Sequence, residues 1–194
     1  MVTVKNMNVC ARLQNYTTVV LCEVDSIQNV KDSLKGAGYC EIDIAFYYIE
    51  DAKSDSRTLT QAVYPMVIGY WSSDNRLRRN MVTAASSSPK QRHNLWTCKK
   101  PTLDRDGDGV VINAEQKVVE LMESIITTFS FEREWVLDAC CGTGSAVIAA
   151  LSVKRNAVGI DLDKRQTDHT EMKVEGYCLE CDGDITMEDV ESCE

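Results

Sequence analysis

The chain has 194 residues, 44% hydrophobic and 26% charged, with a formal net charge of −9 at pH 7. That length fits one domain with a sizeable core, and the balance excludes a disordered chain and a uniformly basic nucleic-acid binder. No apolar run approaches a membrane span, no signal-peptide core opens the chain, and nine irregularly spaced cysteines suit free thiols in a reducing, intracellular compartment, cytoplasmic or nuclear.

In chain order, Thr17–Val24 reads as a buried strand and Ser26–Ala37 as a helix that Gly38 terminates. Glu41–Ile49 and Ala62–Trp71 read as strands; Pro65 predicts that the second is an edge strand or starts late. Residues 72–112 read as a flexible insert, its first half basic and its second half acidic. From Arg76 to Lys100 there is no Asp or Glu, while Arg76, Arg78, Arg79, Lys90 and Arg92 recur with His93 and Trp96 between them. Such a loop can bind phosphates and stack on bases, or be a solvated basic surface. Asp104–Glu115 matches an EF-hand calcium loop in its acids and in Gly109, although Cys98–Leu103 makes a poor entering helix. The alternative is an acidic turn that caps the next helix.

That helix is expected over Asn113–Phe129, with Asn113 as N-cap and Gln116 closing a capping box. Val118, Met122, Ile125 and Phe129 fall on one face. Trp135–Asp138 reads as a buried strand that runs through a turn at Gly142-Thr143-Gly144 into a helix from Ser145. Ala157–Asp163 reads as the next strand, ending in acids. Strand, glycine turn, helix and a strand with a terminal carboxylate is how an open α/β sheet holds an adenosine-type cofactor. The third glycine of a dinucleotide fingerprint and the Gly-Lys-Ser/Thr of a Walker loop are both missing. Residues 164–194 read as an acidic tail of uncertain order, in which Tyr177–Leu179 is a candidate third strand and Asp182 or Asp184 a candidate adenine neighbour. Cys178 and Cys181 form a Cys-x-x-Cys pair without the further ligands of a structural zinc site, so no metal is assigned.

Asp138-x-x-x-Gly142-x-Gly144 resembles the first motif of the S-adenosylmethionine-dependent DNA amino-methyltransferases (adenine-N6 or cytosine-N4), usually Asp-Pro-Phe-x-Gly-Ser-Gly-Thr. The segment before it resembles the family's preceding helix, which opens His-Pro-Thr-Gln-Lys-Pro. Gln116 and Lys117 match, whereas Asn113, Ala114, Glu115 and Val118 depart. The resemblance runs from about Val9 to about Asp163 and is most specific at the glycine turn. It implies a single α/β domain with a Rossmann-like class I methyltransferase sheet, helices on both faces and a permuted motif order. It also implies S-adenosylmethionine as cofactor, with Asp138, Cys140 (where Phe is usual), Gly142, Gly144, Ser145 and Lys117 about the methionine end and Asp161 on the ribose. DNA is the implied partner.

The family's catalytic loop, Asp/Ser/Asn-Pro-Pro-aromatic, has no counterpart. The only prolines are Pro65, Pro89 and Pro101. The expectation is a cofactor-binding chain that needs a preceding segment or a partner subunit for methyl transfer, or else a non-catalytic subunit that binds nucleic acid or an active partner. The catalytic residues are not identified.

Overall fold

The computed structural model describes residues 16–52, 62–72 and 94–180. The chain divides into two compact units, Met1–Lys99 and Lys100–Glu194.

The first unit is built on a four-stranded sheet in the order β1-β3-β2-β4. Its strands are β1 (Thr17–Leu21), β2 (Glu41–Ile49), β3 (Val63–Tyr70) and β4 (Leu95–Cys98). β3 runs antiparallel to both β1 and β2, and β4 joins β2 in parallel. Helix α1 (Ile27–Gly36) follows β1. It ends as its sequence predicts. Gly38 has φ +100°, its N–H donates to Lys35, and the Tyr39 N–H reaches the Leu34 carbonyl, which is the Schellman pattern. Val30 and Leu34 on α1 pack with Tyr39 and Val67 to form the core. Tyr16 stacks on Trp71 at 5.3 Å, and Tyr39 meets both rings edge-on.

Two expectations are corrected in this unit. β3 is an interior strand despite Pro65. Pro65 accepts from Cys22 N at 3.2 Å, one residue past the end of β1, so the donor that proline lacks falls beyond the paired ladder. The insert also contains a strand. Trp96 of β4 is buried against the sheet and presents no free ring for a base.

The second unit contains α2 (Val119–Phe129), β5 (Trp135–Asp138), α3 (Ser145–Ser152), β6 (Asn156–Gly159) and α4 (Lys164–Glu180). β5 and β6 form a two-stranded parallel sheet, registered Val136↔Ala157 and Asp138↔Gly159. α3 is the crossover between them. Its Val147 packs with Cys141 and with Val174 of α4. α2 buries Leu121, Met122, Ile125 and Ile126. It starts later than expected, because Asn113–Val118 forms an extended turn instead of a first helical turn. Gln116 does not cap. It is buried, accepts from Asp104 N at 2.9 Å and donates to the Thr102 carbonyl.

The stretch read as an acidic tail is a helix as far as Glu180, so Tyr177–Leu179 is helical and not a strand. Asp182, Asp184, Cys181 and Cys193 lie outside the described residues. β5 is also less covered than a buried strand, since Trp135 is 59% and Leu137 43% exposed.

Candidate cofactor site

The glycine turn between β5 and α3 is a closed hydrogen-bonded structure. β5 delivers Asp138, whose carboxylate accepts from Cys140 N at 3.2 Å. Gly144 N bonds to the Cys141 carbonyl at 2.8 Å, and Ile148 N returns to the Gly144 carbonyl at 2.9 Å. Gly142 (φ +55°) and Gly144 (φ +75°) both lie in the left-handed region, which explains the residue type at each. β6 ends at Gly159, and Asp161 follows two residues later. Asp161 Oδ2 accepts from Gly142 N at 2.9 Å, and its Oδ1 accepts from Asp163 N at 3.0 Å. The acid after β6 thus clasps the glycine turn after β5. A carboxylate has about four acceptor positions, so two remain for other donors.

The segment before α2 lies against this turn. Ser145 Oγ donates to the Lys117 carbonyl at 2.8 Å, so the Ser145 hydroxyl proton is committed to the backbone. The Lys117 ammonium turns back onto the Glu115 carbonyl at 2.8 Å. Asn113 Nδ2 lies 2.5 Å from where a Cβ on Gly142 would stand.

Burial, reinforced by the Asp161 charge, raises the Asp138 carboxyl above the usual range, against the bond from Cys140 N. Burial, with Asp138 and Asp161 nearby, lifts the Cys141 thiol to about 11, and the same causes raise Cys140. Both thiols therefore stay protonated at neutral pH, which makes them poor nucleophiles. Cys140 is exposed and Cys141 buried.

Reading the sequence alone misses the contribution of α4. Asp163 is its N-cap, with Oδ1 accepting from Arg165 N at 3.0 Å. Gln166, three residues on, donates to Asp163 Oδ2 at 3.1 Å. The Asp-x-x-Gln spacing before a Thr170, Val174, Cys178 repeat was the available signal. Thr170 Oγ1 donates to the Gly142 carbonyl and Lys173 Nζ to the Thr143 carbonyl, both at 3.0 Å. Lys173 Nζ also meets Asp104 at 2.9 Å, and His169 meets the same carboxylate at 3.1 Å. Burial pushes the Asp104 carboxyl up, but the Lys173 and His169 bonds outweigh it and hold the group below its usual range.

The calcium-like loop is spoken for in the same way. Asp104 meets Lys173 and His169, Asp106 pairs with Arg165, and Glu115 faces Lys117 at 3.8 Å. Arg105 and Val111 bridge its two arms. Among the described residues, no three His, Cys, Asp or Glu side chains gather to hold a metal ion. The basic residues Arg76, Arg78, Arg79, Lys90 and Arg92 lie outside the described residues, as does His93.

Residues 27–172 match the family model described as DNA methylase. The chain belongs to the DNA methylase family. A 68-residue stretch is 35% identical to the type II methyltransferase M.MthZI of Methanothermobacter thermautotrophicus, covering 35% of this chain and 19% of that protein. Among solved structures, the M1.HpyAVI–SAM complex aligns with a TM-score of 0.68 and 20% identity, over 89% of this chain and 83% of that one. The putative DNA modification methylase TTHA0409 of Thermus thermophilus aligns at 0.63 and 15%, over 97% and 79%. The cytosine-N4-specific PvuII DNA methyltransferase aligns at 0.58 and 12%, over 79% and 62%. These likenesses establish an α/β fold of the class I methyltransferase type. The glycine turn comes after the four-stranded unit in the chain, the permuted order expected from the sequence. Among the described residues, no helix is long and apolar enough to cross a membrane.

Proposed function

We propose that this DNA methylase chain binds S-adenosylmethionine at the 138–145 turn and does not transfer a methyl group to DNA by itself. The observation that carries the reading is the clasp between Gly142 N and Asp161 Oδ2, which joins the turn and the acid after β6 into one site. The donor set suits the cofactor. Asp161 keeps lone pairs for the two ribose hydroxyls, and the N-terminus of α3 favours the cofactor's carboxylate. Thr143 Oγ1 and Gln166 Oε1 are buried at the turn without hydrogen-bond partners among the described residues. Bound there, the cofactor supplies an electrophilic methyl group. The chain's own task is to hold it, with Asp138, Cys140, Gly142, Gly144, Ser145 and Lys117 about the methionine end and Asp161 on the ribose. M1.HpyAVI and TTHA0409 were each solved as complexes with this cofactor, which supports the assignment.

Methyl transfer to a base needs a loop that grips an extruded nucleotide. No Pro-Pro-aromatic sequence occurs anywhere in the chain, so that loop comes from another polypeptide segment, a preceding one or a partner subunit. The alternative is a non-catalytic subunit that binds nucleic acid or an active partner, and the same missing motif favours it. In either case Arg76, Arg78, Arg79, Lys90 and Arg92 are the proposed phosphate contacts. Each one lost should lower the log–log salt slope of duplex binding by about 0.9.

Calorimetry with S-adenosylmethionine tests the reading. Asp161→Ala should weaken binding by about ten- to a hundredfold, the size of a lost charge-assisted pair. Equal binding by folded wild type and variant removes Asp161 from the site. Robust transfer of labelled methyl groups to DNA by the purified chain overturns the claim of inactivity.

A further inference from the structure

α4 controls which way the amides of the glycine turn point. A trans peptide is planar, so the N–H of one residue points opposite to the carbonyl of the residue before it. Thr170 Oγ1 lies 3.0 Å from both the Gly142 and the Gln166 carbonyls; when its single proton goes to Gly142 it holds that carbonyl toward α4, so the Thr143 N–H faces away from that helix. Lys173 holds the next carbonyl, that of Thr143, in the same sense, so the Gly144 N–H swings back to close the turn on Cys141. Asp104 fixes the Lys173 ammonium for this task. The result is selective. The Gly142 amide is taken by Asp161 and the Gly144 amide by Cys141, while the Thr143 amide makes no hydrogen bond among the described residues. Thr143 is only 1% exposed, and its Oγ1 likewise has no partner among them. Buried, unpaired donors are rare and costly, and such a pair implies an acceptor that arrives with a ligand.

We infer that Thr170 and Lys173 are positioning residues that aim the Thr143 amide at the carboxylate of the bound cofactor. The inference rests on the S-adenosylmethionine reading and adds to it which chain groups recognise the amino-acid end. The Thr143 amide stands directly before α3, so an anion there also meets the positive end of that helix. Neither α4 residue touches the ligand in this scheme. Their effect passes through two peptide planes.

The test compares S-adenosylmethionine with its decarboxylated form, which keeps the adenosine, sulfonium and amine. Wild type should prefer the carboxylate form by at least about tenfold. Thr170→Val and Lys173→Met should each erase most of that preference by weakening only the carboxylate form. Thr170→Ser and Lys173→Arg keep the donors and should keep the preference. A purely structural role would lower affinity for both ligands alike, and that result overturns the inference, as does an unchanged preference in the folded variants. If the Val or Met variant fails to fold, wild type decides, because equal affinity for the two ligands also overturns it. Wild type that binds neither ligand removes the cofactor reading itself. Wild type that binds both without preference removes only the role of Thr170 and Lys173.

Discussion

The two units hold their backbones by different means. In the first, β3 lies between two partners, and Met66, Val67 and Leu34 are sealed from solvent. Apolar burial and ladder hydrogen bonds do the stabilising. In the second, the described residues form a sheet of two parallel strands, an arrangement that is marginal by itself. There an apolar core around α2 and α3 is joined by side chains that reach main-chain groups. Asp161, Thr170, Lys173 and Ser145 together tie down Gly142, Thr143 and Lys117. A packed core tolerates small displacements poorly but has no direction. Polar ties of this kind fix the orientation of individual amides, which is what a ligand-binding turn requires.

The largest effect should come from the packed unit. Leu34→Ala removes a side chain with no exposed surface, at a cost of about 2–5 kcal/mol by urea unfolding. A loss below about 1 kcal/mol would mean that the core collapses around the gap, and the contrast with the second unit would weaken.

Gly144→Ala should come next. A non-glycine residue in the left-handed region costs roughly 1–2 kcal/mol, and the new Cβ would stand 2.6 Å from Thr170 Cγ2. A protein contact therefore constrains Gly144 in addition to its left-handed backbone. Combining Gly144→Ala with Thr170→Ser removes the nearest of the clashing atoms, the methyl, and leaves Oγ1 at 2.9 Å and Cβ at 3.1 Å. Thermal melts should show the pair more stable than Gly144→Ala alone. If the pair is no better, the Thr170 methyl is not the source of the strain.

Arg155 offers a middle case. It is buried, and its guanidinium donates to the Ser130 hydroxyl at 3.0 Å, to the Ser130 carbonyl at 2.7 Å and to the Val153 carbonyl. It ties the end of α2 to the turn after α3. Arg155→Leu keeps much of the stem but strands these acceptors, costing about 1–3 kcal/mol by denaturant unfolding. A neutral result would mean that water replaces the guanidinium and that ties of this kind are dispensable in the second unit.

The elements that were legible in the sequence are those with a strong local signal. β2 follows its apolar run from Glu41 to Ile49, and α1 ends where Gly38 dictates. The glycine turn and Asp161 stand where the spacing put them, joined by one hydrogen bond. What was not legible depends on partners distant in the chain. Gln116 would suit a capping box, but it serves Thr102 and Asp104. α4 carries only the short Thr170, Val174, Cys178 stripe, because part of the face it turns to the glycine turn is polar, Thr170 and Lys173 meeting carbonyls. β4 is only four residues long and is a strand only because β2 offers it an edge.

The smallest expected effect concerns Asp138 and has a defined sign. Burial and the Asp161 charge raise its carboxyl in the folded chain above the unfolded value. The folded state therefore binds the proton more tightly, and stability falls as pH rises from the ordinary carboxylate range through the raised value. Above that raised value the charged carboxylate opposes folding. Asp138→Asn keeps the shape and an oxygen that can accept from Cys140 N, but it has no charge to desolvate. Thermal melts should place the variant above wild type at pH 7, with the gap closing in acid once Asp138 is protonated. The same substitution should weaken S-adenosylmethionine binding, since the charge sits at the proposed methionine end. Retaining a destabilising carboxylate is reasonable only where function requires it. If Asn lowers stability equally at both pH values, the Cys140 bond outweighs burial, and Asp138 belongs with the structural ties of the turn.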